Sequence, residues 1–326
     1  MYKLAIDAMS GDLGSSIVVK ACQAFMTTHH DVELYVTGKK EELKELENIK
    51  NIHVVDAQDV VNMNDGIMSV RRKKESSMVK AVMMANDGTC DGVVSCGSTG
   101  AFYTSAMLFL KRIEGVEKSC LMAVLPTYNN KGVCLLDVGA NAENTAEQLR
   151  DFAIMGEVYA RNIRHIENPK VALLNIGSEE KKGDEVHQQA YQLLKNESLN
   201  FVGNIEGREL LLGDVDVIVT DGFTGNIALK TTEGVASLVM KMIKEAMMSS
   251  TKGKIGALLA KDSLYALKDR FDYKSVGGAL MMGFERAVVK AHGASDEVAF
   301  ANAMDLTYQI VKEDVVSKMK EGLQEK

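Results

Sequence analysis

DVIVTDGFTGN, residues 216–226, decides the fold class: a short β-branched apolar run breaks off into a carboxylate, two glycines, a hydroxyl and an amide. Three other runs end in the same way: GVVSCGSTG (92–100), VCLLDVGAN (133–141) and VALLNIGSEEKKG (171–183). In an open parallel sheet, ligands lie outside the carboxyl ends of the strands, so loops there bind and react while the rest is scaffold. Glycine lets the backbone approach an anion and turn its N–H groups inward, above all where a helix starts directly afterwards. Glycine turns are ordinary in α/β proteins, but four with one grammar point to a phosphate-like ligand.

Outward from these runs, further β-rich segments occur at KLAID (3–7), VELYVTG (32–38), NIHVVDA (51–57) and RAVVKAHGAS (286–295). Helix-compatible stretches at 18–26, 76–86, 99–112, 145–162 and 184–195 separate most of them. This β–α alternation predicts an α/β fold with a largely parallel sheet. After Asn226 the grammar changes, and Val235, Leu238, Val239, Met242, Ile243, Ala246 and Met247 follow the spacing of one helix face. The segment 252–271 sets Ile255, Leu258 and Leu259 among Lys252, Lys254 and Lys261. It fits either a helical hairpin closing a dimer core or a basic, apolar tip touching a membrane surface or a lipid-carrying partner. With Pro126 and Pro169 as the only prolines and no linker, a single domain over 1–326 is expected, containing a helical hairpin at about 228–272 and a helical tail at 313–326.

A net charge of −7 argues against nonspecific nucleic-acid binding. The run Arg71, Arg72, Lys73 and Lys74 is a local basic patch, either solvated or docking an acidic partner. Five scattered cysteines without a CxxC pair predict neither structural zinc nor a disulfide framework, and no metal is expected. No signal-peptide pattern and no run near the ~20 apolar residues of a spanning helix occurs, so a cytoplasmic location is expected. GxGxxG, the Walker GxxxxGK[ST], GxSxG and HExxH are all missing, which withdraws motif support from NAD or ATP binding, serine hydrolysis and zinc proteolysis. Of the histidines, His292 after a strand run is the one retained as a candidate.

The loops supply the chemistry. Ser95, Gly97, Ser98, Thr99 and Gly100 surround a helix start, where one hydroxyl caps while free N–H groups face an anion. Cys96 invites a nucleophile role, but no histidine is placed to activate it. Glu179 and Lys182 lie in the charged loop before Asp184, itself a candidate helix cap; a lysine there can offset phosphate or oxyanion charge. Asp221, Gly222, Thr224, Gly225 and Asn226 form the densest group, with Asp137 and Asn141, and Asp7 and Asp12, read as lying along the same strand edge.

With DAMSGD near the start, RRKKESSM (71–78), SCGSTGA (95–101), LLDVGAN (135–141), LLNIGSEEKKG (173–183), DGFTGN (221–226), GGALMMG (277–283) and HGAS (292–295) in order, the sequence resembles the bacterial phosphate acyltransferases of phospholipid synthesis, the PlsX family. The departures are local: Ser10 replaces a usual glycine, and Ser15 and Leu280 stand where prolines are common. The resemblance implies a three-layer α/β/α body akin to phosphotransacetylases and isocitrate-dehydrogenase-like proteins, dimeric through the long helices. It implies transfer of a long fatty acyl group from acyl carrier protein to inorganic phosphate, without a cofactor. A membrane acyltransferase would then take the product, consistent with weak peripheral membrane contact through Ile255, Leu258 and Leu259.

On that reading bound phosphate attacks the thioester directly. The segments 97–100 and 222–226 hold it, Lys182 offsets developing charge, and Asp221 orients or deprotonates the nucleophile. Arg71–Lys74 suits the acidic carrier. A coenzyme A-dependent short-chain phosphotransacetylase and a noncatalytic carrier scaffold are the alternatives.

Overall fold

The computed structural model describes residues 1–270 and 277–324. In chain order the elements are β1 (Tyr2–Asp7), α1 (Ser15–Met26), β2 (Val32–Gly38), β3 (Ile52–Asp56), α2 (Ser77–Asn86), β4 (Gly92–Ser95) and α3 (Thr99–Phe109). Then come β5 (Cys120–Leu125), β6 (Val133–Leu136), α4 (Ala146–Asn162), β7 (Lys170–Asn175), α5 (Glu185–Asn196), β8 (Asn200–Glu206) and β9 (Val217–Val219). The chain continues with α6 (Gly222–Met248), α7 (Thr251–Leu259), α8 (Lys261–Arg270), β10 (Ala279–Met282), β11 (Ala287–Lys290), α9 (Glu297–Lys312) and α10 (Val315–Gln324).

The strands form one sheet of order β3-β2-β1-β4-β11-β10-β5-β6-β9-β7-β8. Their period of two divides each between two cores. Leu4, Ile6, Val94, Leu136, Val171 and Val219 face one layer with Phe152 and Phe300, whereas Ala5, Val93, Leu135, Ala172 and Ile218 face the other with Met78 and Phe102. Strands covered on both faces read as continuous apolar runs, which is why the sequence displays them. The result is a three-layer α/β/α arrangement with a largely parallel sheet, as expected.

The sheet is not parallel throughout. β10 is antiparallel to both β11 and β5, and β5 is antiparallel to β6. Hence β1, β2, β3, β4, β11 and β5 run one way, and β10, β6, β9, β7 and β8 the other. This corrects the reading of a common strand edge: Asp7 and Asp12 follow a strand that points opposite to the one preceding Asp137 and Asn141. The two half-sheets instead present their carboxyl ends toward each other across the central β10–β5 pair.

The stretch 222–226 is also corrected, because it is the first turn of α6 and not a loop. α6 is 27 residues long, and α7 and α8 follow it. Residues 271 and 272 of the expected hairpin, and Glu325 and Lys326 of the tail, lie outside the described residues. Val235, Leu238 and Met242 on α6 are 54–59% exposed. Among the described residues, no helix is long and apolar enough to cross a membrane.

Candidate active site

A cavity of about 570 Å³ lies over the central antiparallel strands, on the face that carries α3 and α6. Its floor is apolar: Leu121, Ala123 and Leu125 of β5, with Ala279 and Met281 of β10. Thr99, Gly100 and Tyr103 of α3 form one wall, and Asn226, Leu229 and Lys230 of α6 another. Val138, Gly139 and Ala140 after β6, Lys290, Ala291 and His292 at the end of β11, and Ile67 and Glu233 also line it. Among the sequence candidates, Thr99, Gly100, Asn226 and His292 therefore meet at one cavity. A larger groove of about 740 Å³ lies along α6, lined by Glu233, Met240, Ile243 and Met247 of α6 with Leu264 and Tyr265 of α8, and it shares Glu233 with the cavity.

The α3 wall rests on a buried network. The Asp7 carboxylate accepts from the hydroxyls of Ser77 and Ser95, each at 2.6 Å, and Ser95 Oγ in turn accepts from Gly97 N at 3.1 Å. Ser95 is thus scaffold for the turn. A side chain at Gly97 would collide with Ser10 Cβ at 2.6 Å, and one at Gly100 with Ile67 Cγ2 at 2.8 Å. Ser98 occupies the N-cap position of α3, but its side chain makes no cap bond, leaving the first-turn N–H groups open to a ligand.

Asp137 and Asn141 build the opposite loop. Asp137 is fully buried and accepts from the backbone N–H groups of Leu121, Gly139, Ala140 and Asn141 and from Asn141 Nδ2, at 2.8–3.1 Å. Burial raises its pKa while those donors oppose the rise. Asn141 Nδ2 also donates to Ser119 O at 2.8 Å. Both residues spend their hydrogen-bonding capacity on tying this loop to the start of β5, and Asn141 Oδ1 also accepts from the Tyr103 hydroxyl of the cavity wall at 3.5 Å.

α6 starts against this loop. Asp221 caps it, accepting from Thr224 N at 2.8 Å, and Gly222 N donates to Asn144 Oδ1 at 3.3 Å. Gly222 and Gly225 serve close approach, since an added Cβ would strike the backbone oxygens of Asn141 and Asp137 respectively. That approach brings Asn226 against Gly139, 3.3 Å from where a Cβ would stand.

Glu179 and Lys182 lie outside the cavity lining, 68% and 47% exposed, with Lys182 Nζ 3.9 Å from Glu179 Oε1. Their loop nevertheless abuts the α6 start through a residue that sequence reasoning passed over. His187 Nδ1 lies 2.7 Å from Asp184 Oδ1, and its Nε2 lies 4.0 Å from Asp221 Oδ2. Asp184 caps α5 through His187 N at 2.9 Å, and these bonds lower its pKa. The signal was available: a histidine three residues after a capping aspartate lies over the cap.

Lys290 is the other residue missed. It ends a buried strand and is 6% exposed, and burial, the largest influence, lowers its pKa to about 8. His292 is lowered first by burial and then by the charges of Lys290 and Lys230. The thiol of Cys96 is 1% exposed and pushed up to about 12, chiefly by burial. A thiolate nucleophile is disfavoured there.

The basic run divides. Lys73 Nζ donates to Val60 O at 2.7 Å and Asp65 Oδ2 at 2.8 Å, so it holds its own loop together. Arg71, Arg72 and Lys74 are exposed, beside Ile67 and Met68, and Ile67 also lines the cavity. On α7, Ile255, Leu258 and Leu259 are 56%, 73% and 83% exposed.

A family profile described as "Fatty acid synthesis protein" matches residues 2–318. The phosphate acyltransferase of Pediococcus pentosaceus is 44% identical over 97% of this chain and 93% of its own length. That of Clostridium tetani is 42% identical over 98% of both. Among solved structures, the EutD phosphotransacetylase from Staphylococcus aureus superposes with a TM-score of 0.64, covering 95% of this chain and 94% of that one. A branched-chain phosphotransacylase from Enterococcus faecalis gives 0.60, covering 95% and 99%. At 16% and 13% identity these two show the fold alone. Full-length identity of this order with the curated relatives places the chain in the phosphate acyltransferase family, and it is an acyltransferase.

Proposed function

We propose that the protein transfers a long-chain acyl group from the thioester of acyl carrier protein to inorganic phosphate, forming acyl phosphate and free carrier. A phosphate oxygen attacks the carbonyl carbon, the C–S bond breaks, and the departing thiolate takes up a proton. The observation that carries this reading is the cavity itself, where an apolar floor meets a wall with a helix N-terminus, Asn226, Lys290 and the Lys230–Glu233 pair. Such a wall suits an anion and such a floor an acyl chain. The raised pKa of Cys96 favours direct attack over an acyl-enzyme. In this reading the open N–H groups of Thr99 and Gly100 at the α3 start, with Asn226 of α6, hold phosphate near the carbonyl, Lys182 offsets the charge developing on the thioester oxygen, and Asp221 orients the nucleophile. Carrier release measured with and without phosphate tests the proposal. Release is expected to require phosphate, and equal rates in both would overturn it. The phosphotransacetylase fold of the structural neighbours favours one second reading, a coenzyme A thioester donor, so both donors belong in the assay.

Two surfaces complete the proposal. Arg71, Arg72 and Lys74 are exposed just after Ile67, which lines the cavity, and suit an acidic carrier. Reversing the three to glutamate is expected to raise the KM for carrier at least about tenfold and leave that for phosphate nearly unchanged, with the parent interaction weakening as salt rises. An unchanged carrier KM would return these residues to solvated surface. Leu258 and Leu259 beside Lys254 and Lys261 suit weak contact with an anionic membrane, presented twice if the protein is a homodimer. Replacing both leucines with glutamate is expected to abolish liposome co-sedimentation and spare soluble transfer. Loss of dimerisation instead would identify them as interface core.

A further inference from the structure

We propose that Lys290 is the cation that binds the acceptor phosphate, together with the N–H groups of Thr99 and Gly100 that line the same cavity. The inference rests on phosphate being the acceptor and names the group that holds it. The parallel register sets Lys290 of β11 beside Ser95 of β4, so the lysine ends its strand next to the turn that opens α3. Lys290 is only 6% exposed, yet it lines the cavity. An ammonium carries three donors. One goes to Ala291 O, and among the described residues Lys290 forms no carboxylate ion pair.

The other candidate cations are differently committed. Lys230, on the same cavity, lies 2.8 Å from Glu233 Oε2. Lys182 stands beside Glu179 outside the lining, and Lys73 is bound to Asp65. A methionine or leucine would fill the end of β11 without desolvating a charge. A buried ammonium with spare donors is therefore a device for an anion, and a phosphate brought against it supplies the direct partner that no carboxylate among the described residues provides. The groups facing Lys290 are Asp7 and Cys96 from the ends of β1 and β4, Asp12 from the loop after β1, Lys230 from α6, and His292.

The test is equilibrium binding of radiolabelled inorganic phosphate to the full chain, free of any acyl donor. Lys290→Met is expected to weaken binding at least about tenfold, and Lys290→Arg to remain within about threefold of the parent. If the methionine variant does not fold, the arginine variant still decides. Phosphate affinity of the parent is expected to fall as pH rises through about 8, where the ammonium loses its proton, while Lys290→Arg holds its affinity past that point. Parent-like binding by a folded Lys290→Met, or the same alkaline fall in Lys290→Arg, would overturn the assignment. Phosphate binding without acyl transfer would sink the proposed reaction and leave this site standing; a parent that binds no phosphate would sink both.

Discussion

Gly225→Ala is expected to destabilise the protein by about 3 kcal/mol and to lower acyl transfer on the order of a hundredfold. Inside a helix the opposite would ordinarily hold, since alanine exceeds glycine in helix propensity by ~1 kcal/mol. The surroundings reverse the sign. A Cβ at position 225 would overlap Asp137 O and lie 3.0 Å from both the Asp137 carbonyl carbon and Thr220 Cγ2. Two of those three atoms are backbone, so no rotamer change relieves the contact. Either α6 or the 137–141 loop must move, and the loop is fixed by the donors converging on the buried Asp137 carboxylate. Displacing α6 shifts Asn226 and Lys230, which line the cavity, and misplacement by ~1 Å can cost about a hundredfold in rate. Gly234→Ala is the control, because nothing lies within 4 Å of its Cβ position. It should raise the melting temperature slightly, whereas Gly225→Ala should lower it by roughly 5 °C or more. A Gly225→Ala protein that melts and turns over like the parent would show that the close approach is unimportant.

The same glycines show what the sequence could reveal. Their clustering in DGFTGN marked a place where backbone comes close to something, and that was legible; whether the partner was a ligand or another segment was not. Both Gly222 and Gly225 lie against the Asp137 loop. Strand identity was legible wherever both faces are buried, because period-two burial then leaves an unbroken apolar run. Direction was not, because apolar pattern carries no information about which way a neighbour runs. The stretch PTYNNKG between Leu125 and Val133 did carry a hairpin signal that marks the antiparallel β5–β6 pair, with Asn130 and Gly132 both at positive φ. Strand-end carboxylates were legible as polar anchors, but Asp137 proves to be saturated by its own loop. Lys290 was hidden for the converse reason: a lysine after AVV reads as a solvent-facing strand end until the packing of β4, β10 and the 291–293 segment buries it.

Asp221→Asn and Lys182→Ala are each expected to lower turnover by about a hundredfold or more without loss of fold. Asparagine caps a helix as well as aspartate does, and its amide oxygen can keep the 2.8 Å bond from Thr224 N. The substitution therefore leaves α6 in place and removes only the negative charge, 4.0 Å from His187 Nε2. If Asp221 acts on the phosphate, kcat falls and the melting temperature holds. If it acts only as a cap, Asp221→Asn stays active and Asp221→Ala loses stability by ~1 kcal/mol. Lys182 admits the same separation. Its pairing with Glu179 is long and exposed, a kind of contact worth little to stability, so the folded state gives no reason for the alanine variant to fail. A large fall in kcat must then come from charge that appears only during transfer, when the thioester oxygen becomes an oxyanion. Lys182→Arg should recover part of the loss, because it keeps the charge but not the reach of the ammonium. Near-normal turnover in Lys182→Ala would remove the residue from the chemistry and leave the cationic work of the cavity to Lys290 and the α3 N-terminus.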